Sequence, residues 1–152
     1  MLRLNVVAVA RLAHAALGGM RARRRGGVVN VSSLGGFAPF GGLATYTASK
    51  AFVTALSQAL AQEVRADGVT VLALCPGYTR TEFQERTGYH GSRTPDVLWM
   101  TAEEVVDAAL KALDRGKSIV VPGAINRVAA VATRMTPLPV VTRVAGFVGR
   151  EP

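Results

Sequence analysis

At 152 residues the chain has the length of one domain with a real core, and its composition, 49% apolar and 18% charged, excludes a disordered polymer. A single cysteine, Cys75, excludes an internal disulfide and a cysteine-based zinc cluster, so nothing calls for an oxidising compartment. The net charge of +8 raises the question of an acidic partner, which the placement of the charges must answer.

The N-terminus imitates a secretory signal, with Arg3, a short apolar stretch and Ala13-His14-Ala15. Asn5 and Arg11 interrupt that stretch, and Leu4, Val7, Ala8, Leu12, Ala15 and Ala16 recur at helical spacing, so residues 2–23 are expected to form an amphipathic helix. Basic residues and Gly26-Gly27 close it. Val28 to Val31 reads as a short strand, with Ser32-Ser33 at its end and a Gly-rich loop from Leu34 to Gly42. A long helix is expected over 44–66, with Phe52, Leu56, Leu60 and Val64 on one face and Gly68 as its stop.

Val69 to Cys75 is a nearly continuous apolar run ended by Pro76-Gly77, as in a strand buried on both faces of a parallel sheet. Tyr78 to Met100 shows no regular period and reads as a loop or lid. Thr101-Ala102-Glu103-Glu104 has the form of a capping box opening a third helix, which stops near Gly116. Ser118 to Val121 is a last strand before Pro122-Gly123. Strands alternating with helices argue for an α/β domain with a parallel sheet of about three strands. The chain is expected to be one domain, a catalytic α/β portion over 1–123 followed by an apolar and basic helical tail over 124–152, split by Pro137 and Pro139. No run is apolar enough for a membrane span, because Arg127, Arg134 and Arg143 interrupt the tail; the expected setting is cytoplasmic.

The most informative pattern is Tyr46-Thr47-Ala48-Ser49-Lys50. On a helix, residues four apart share a face, which places the Tyr46 phenol beside the Lys50 ammonium. A phenol ordinarily titrates near pH ~10, and a fixed positive charge beside one favours its ionised form, which equips such a side chain for acid/base work. Tyr-x-x-x-Lys alone also describes ordinary helix-surface pairs. Here it has company: Ser33 at a strand end thirteen residues earlier, Pro76-Gly77 at the end of the next strand, and Asn5 in the preceding helix. Ligands of open α/β sheets bind at that carboxyl edge.

With these residues in order, the segments GGVVNVSSLGGFAPFGGLATYTASKAFVTALSQALAQEV and GVTVLALCPGYTRTEF resemble the short-chain dehydrogenase/reductase family over about residues 1–83. The resemblance implies a Rossmann-like, doubly wound fold and an oxidoreductase that moves a hydride between NAD or NADP and an alcohol or carbonyl carbon. It implies a catalytic tetrad of Asn5, Ser33, Tyr46 and Lys50. Tyr46 would exchange the proton, Ser33 orient the substrate oxygen, Lys50 hold the nicotinamide ribose, and Asn5 support a proton-refilling water chain. The turn Pro76-Gly77-Tyr78-Thr79-Arg80-Thr81 is similar to the family's nicotinamide-contacting turn, with Thr79 and Thr81 near the carboxamide. The family's full-length members form dimers, commonly through the helices matching those of Asn5 and Tyr46.

The family's Thr-Gly-x-x-x-Gly-x-Gly phosphate turn has no counterpart here; Thr87-Gly88-Tyr89-His90-Gly91 has the wrong spacing and setting. The chain therefore reads as the C-terminal part of such a domain, with the N-terminal dinucleotide-binding half missing, a truncated product or gene model inactive on its own. The alternative is a non-catalytic module that pairs with a full-length relative.

Other features take plainer readings. The arginines at 21, 23, 24 and 25 suit a helix C-terminus better than a nucleic acid. His14 and His90 lack partners at metal-ligand spacing, so no metal site is expected, and Cys75 is expected in the core. Phe37, Phe40, Tyr78, Phe83 and Trp99 fall in loops where they could line a pocket for a lipophilic alcohol or ketone, the favoured reading, or simply pack the lid on itself. The tail could touch an acidic membrane surface, although packing on the domain or on a second subunit is the more ordinary assignment.

Overall fold

The computed structural model describes residues 1–82, 95–137 and 139–143. Three parallel strands form the central sheet in the order β1–β2–β5, with β1 at Gly26–Val31, β2 at Val69–Leu74 and β5 at Ile119–Val120. The register runs Gly26 opposite Val69 to Val31 opposite Leu74, and Ala73 opposite Ile119. This is the α/β architecture with a parallel sheet expected from the alternation of strands and helices.

Helix α1 (Val9–Ala22) is entered through a π-helical turn at Arg3–Ala8. Helix α2 spans Ala44–Glu63, α3 spans Ala102–Asp114 and α4 spans Ala124–Met135. The strand period of two assigns each side of β2 its own core. Val69 and Val71 face α1 and α2 together with Leu17, Val64, Met20, Val28 and Leu60. Leu72 and Leu74 face α3, packing with Val105, Ala109, Ala112 and Leu113. All of β2 except half-buried Thr70 is buried, which explains its unbroken apolar sequence.

Local signals act where the sequence placed them. The Thr101 hydroxyl accepts from the Glu104 N–H at 3.2 Å, and the Glu104 carboxylate accepts from the Thr101 N–H at 2.9 Å, completing the capping box of α3. Gly68 stops the α2 region with φ +68, and a Cβ there would lie 2.6 Å from the Arg24 carbonyl oxygen. Only glycine satisfies both constraints.

Three expectations need correction. The stretch read as a structureless loop contains two strands, β3 (Tyr78–Arg80) and β4 (Trp99–Thr101), which pair in parallel as a separate sheet. Each is three residues long, too short to show a period. Of the face expected on α2, Leu60 and Val64 pack in the core, but Phe52 points outward, and Val53, Thr54 and Ser57 take the inward positions nearer the site. Small polar residues take those inward positions because they bond across to the sheet, which an apolar count cannot reveal. On the N-terminal helix, Leu4, Val7 and Leu12 are exposed and Ala13 and Leu17 are buried. The π turn advances the helix by more than 3.6 residues per turn and shifts the face that the regular period selected.

Candidate active site

The candidate residues converge at the carboxyl ends of β1 and β2, and a ladder of short polar contacts joins the strand ends to α2. The Ser32 N–H donates to the Leu74 carbonyl at 2.7 Å, and the Leu34 N–H to the Pro76 carbonyl at 2.8 Å, so the two strand exits are tied together. The Ser32 hydroxyl donates to the Lys50 carbonyl at 2.7 Å and meets the Thr54 hydroxyl at 2.7 Å. Deeper in, the Asn30 amide donates to the Ser57 hydroxyl at 3.0 Å. These bonds set the rotation and height of α2 relative to the strand that carries Ser33.

Ser33 caps a short 3-10 turn, Leu34–Phe37, by accepting from the Gly35 N–H at 3.0 Å. A Cβ on Gly35 would sit 3.4 Å from both the Ser33 hydroxyl and Cε1 of Tyr46, so that glycine fills the space between hydroxyl and phenol ring. Gly36 is pressed on the helix itself: a Cβ there would lie 2.9 Å from the Lys50 carbonyl carbon and 3.0 Å from the Ala51 nitrogen. The two glycines let the serine loop lie directly on α2.

Lys50 Nζ lies 5.8 Å from the centre of the Tyr46 ring and donates to the Val31 carbonyl at 3.0 Å. The cation is thus held at the exit of β1, beside the phenol. Burial pulls the Lys50 ammonium below its ordinary value of 10.5, and neighbouring Cys75 opposes that in part. Cys75 itself is fully buried, its thiol 3.7 Å from the Thr54 hydroxyl, and burial pushes it up. It belongs to the core, as expected.

Asn5 lies in the π turn and reaches this site at one remove. Its amide donates to the Ser49 hydroxyl at 3.2 Å, and that hydroxyl donates to the Tyr46 carbonyl at 2.7 Å. Ser49 escaped the sequence reading although it stands inside the Tyr46–Lys50 motif. A serine on the helix face opposite solvent was the available signal.

The Pro76-Gly77 turn follows β2 directly. A Cβ on Gly77 would come within 2.6 Å of the Asn126 amide, so α4 is seated on this turn. Asn126 is buried and donates to the Pro122 carbonyl at 3.0 Å. It too was missed; its signal is a lone amide in an otherwise apolar helix start. The Thr79 hydroxyl donates to the Gly77 carbonyl at 3.2 Å, and Thr81 follows at the end of β3. The aromatics divide rather than gather. Tyr78 and Trp99 pack on each other at 5.3 Å, Arg80 lies over Trp99, and Arg134 of α4 lies over Phe37 at 5.3 Å. Phe83 and His90 lie outside the described residues, as does Thr87 to Gly91 as a whole.

The sequence model of the short chain dehydrogenases matches residues 1–90. An acetoacetyl-CoA reductase of Rhizobium meliloti is 45% identical over 78 residues, which are 51% of this chain and 32% of that protein. A 17-beta-hydroxysteroid dehydrogenase type 3 of Danio rerio is 36% identical over 112 residues, 74% of this chain and 34% of that one. Among solved structures, a short-chain dehydrogenase from Sphingobium yanoikuyae in complex with NADPH superposes with a TM-score of 0.75 at 37% identity, covering 88% of this chain and 52% of the other. The chain thus spans about a third of these curated relatives and about half of that solved structure. The matched segment carries the strand ends, the serine loop and the Tyr46–Lys50 helix in one continuous stretch, and by that match the chain belongs to the short-chain dehydrogenase/reductase family.

Proposed function

We propose that this chain supplies the catalytic part of an NAD(P)-dependent oxidoreductase that interconverts an alcohol and a carbonyl, with Tyr46 as the general acid/base. The observation that carries the reading is the placement of Lys50 Nζ, 5.8 Å from the Tyr46 ring and anchored on the Val31 carbonyl at the strand exit. A cation fixed there stabilises negative charge as it develops on the phenol oxygen. Ser33, across Gly35 from the ring, donates its hydroxyl proton to the substrate oxygen and orients it. Asn5 acts on the same helix through Ser49, holding the Tyr46 carbonyl in place.

The chain's residues fit one end of a nicotinamide cofactor. Lys50 and Tyr46 are the groups for its ribose, and Pro76, Gly77, Thr79 and Thr81 are those for its nicotinamide; Asn126 of α4 fills the space beside Gly77 and so holds this turn in place at the strand exit. The pyrophosphate is left to a glycine-rich strand-to-helix turn, an element that residues 1–152 do not contain. The bound cofactor supplies the hydride. Catalysis therefore needs a dinucleotide-binding half in addition to this chain. The NADPH of the Sphingobium structure supports NADP or NAD as the cofactor. The acyl-CoA reductases and the hydroxysteroid dehydrogenase among the relatives support a lipophilic alcohol or carbonyl compound as the substrate.

The test is a panel of 3-oxoacyl thioesters, aliphatic ketones and steroid ketones, assayed with NADH and NADPH on the chain joined to a dinucleotide-binding half. Carbonyl-dependent oxidation of one cofactor is the expected result. Oxidation with no dependence on any carbonyl contradicts the proposal.

A further inference from the structure

Helix α4 is amphipathic in the reverse sense of an ordinary surface helix. Asn126 and Ala130 turn to the protein, Asn126 buried against Gly77 and the Pro122 carbonyl, while Arg127 is exposed and the exposed Arg134 crosses the rim of the helix over Phe37. Its larger apolar residues turn to solvent. Ile125, Val128, Val131 and Met135 are 49%, 70%, 55% and 80% exposed, and their spacing of three, three and four residues puts them in one stripe. A surface helix normally buries such a stripe. Arg127 and Arg134, seven residues apart, flank it on one side, and neither pairs with a carboxylate among the described residues.

The charge of the surrounding sequence selects the partner. From Arg115 to Arg150 there are six basic residues and no Asp or Glu. Antiparallel pairing of α4 with a second copy would set arginine beside arginine with no acid on either helix to offset them. No helix among the described residues is long and apolar enough to cross a membrane, and α4 has only 12 residues. An apolar stripe bordered by long cationic side chains instead matches the boundary between acyl chains and anionic headgroups, where arginine extends its charge to the phosphate level.

We propose that α4 docks this protein on an anionic membrane surface, lying in the interface plane with Val128, Val131 and Met135 toward the acyl chains and Arg127 and Arg134 on the lipid phosphates. This assignment is independent of the catalytic reading. It returns the tail to the membrane role that sequence alone ranked below packing on the domain, because the packing is made by Asn126 and Ala130 and leaves the larger apolar residues outward.

The experiment is co-sedimentation with phosphatidylcholine vesicles, either pure or containing about a third phosphatidylglycerol, at low and high salt. The expected result is partitioning onto the anionic vesicles that weakens several-fold in high salt or on pure phosphatidylcholine. The variant Val128→Gln, Val131→Gln, Met135→Gln should lose about tenfold in partitioning, with an unchanged far-ultraviolet dichroism spectrum. Arg127→Gln with Arg134→Gln should abolish the preference for phosphatidylglycerol. The proposal is overturned if the wild-type chain stays in the supernatant with anionic vesicles, or if the triple variant binds them as wild type does. It is also overturned if light scattering without lipid shows a dimer that the triple variant abolishes, since a second copy then covers the face.

Discussion

Lys50 is the residue at which electrostatics and stability pull against each other. It is held beside the Tyr46 phenol at the price of partial burial, which lowers its affinity for a proton. The unfolded chain therefore keeps that proton to higher pH than the folded one does. Folding stability carries the full penalty at neutral pH, and the penalty is relieved as pH climbs from the lowered native value toward 10.5. Lys50→Met should consequently melt higher than wild type at pH ~7, with the difference vanishing above the ordinary lysine value. Cys75, whose raised value acts in the opposite direction, is coupled to Lys50, so the same pair of melts made in a Cys75→Ala background isolates the lysine. Thermal melts across that range check this; a Lys50→Met protein that is less stable at neutral pH contradicts it. Ser49→Ala should cost about 1–2 kcal/mol in denaturant unfolding, because it strands the Asn5 amide and frees the Tyr46 carbonyl on one side. Ser49→Thr, which keeps the hydroxyl, should recover part of that loss. Tyr46, Lys50 and Ser33 were legible because a reactive motif is a pattern of residue types. Ser49 and Asn126 were not, because what singles them out is the partner each meets across the fold.

At the scale of elements, the serine loop and α2 behave as one unit. Gly36 has helix backbone where its side chain would be, and backbone cannot yield as a flexible side chain can. Gly36→Ala should therefore destabilise by about 1–3 kcal/mol and displace Ser33 from Tyr46. Calorimetry reads the first effect, and an unshifted melting temperature contradicts it. Gly41, with nothing near its Cβ position, is the matched control: Gly41→Ala should leave the melt unchanged. Long elements were readable from period and punctuation: α2, β2 and the capping box of α3 fall where apolar spacing and end signals placed them. The inward face of α2 was not, since Ser57, Thr54 and Ser32 form a polar seam that hydrophobic periodicity treats as surface. Short β3 and β4 were invisible because three residues cannot establish a period of two and because they pair with each other across the intervening segment.

For the molecule as a whole, among the described residues β1 pairs with β2 alone, so its other edge carries no partner strand. In the doubly wound architecture that edge continues toward the dinucleotide-binding half. The chain alone should thus hold NADPH only weakly: it has the residues proposed for the nicotinamide end, whereas among the described residues no glycine-rich strand-to-helix turn offers a phosphate cradle. A fluorescence titration should give no saturation in the micromolar range, and a micromolar Kd for residues 1–152 contradicts the division of labour argued above. The α/β class was legible in the sequence because alternating elements allow few arrangements. The reversed amphipathicity of α4 was not, as periodicity reports that a helix has two faces without saying which one meets the protein.

The most direct test of the central claim is the carbonyl-dependent rate of NADPH or NADH oxidation by the chain joined to a dinucleotide-binding half, with wild type and Tyr46→Phe side by side. Turnover is expected in the first and a loss of at least about a hundredfold in the second, with superimposable melting curves, because only the proton-carrying hydroxyl is removed. Equal turnover in the two proteins would contradict it and would move the acid/base role away from Tyr46.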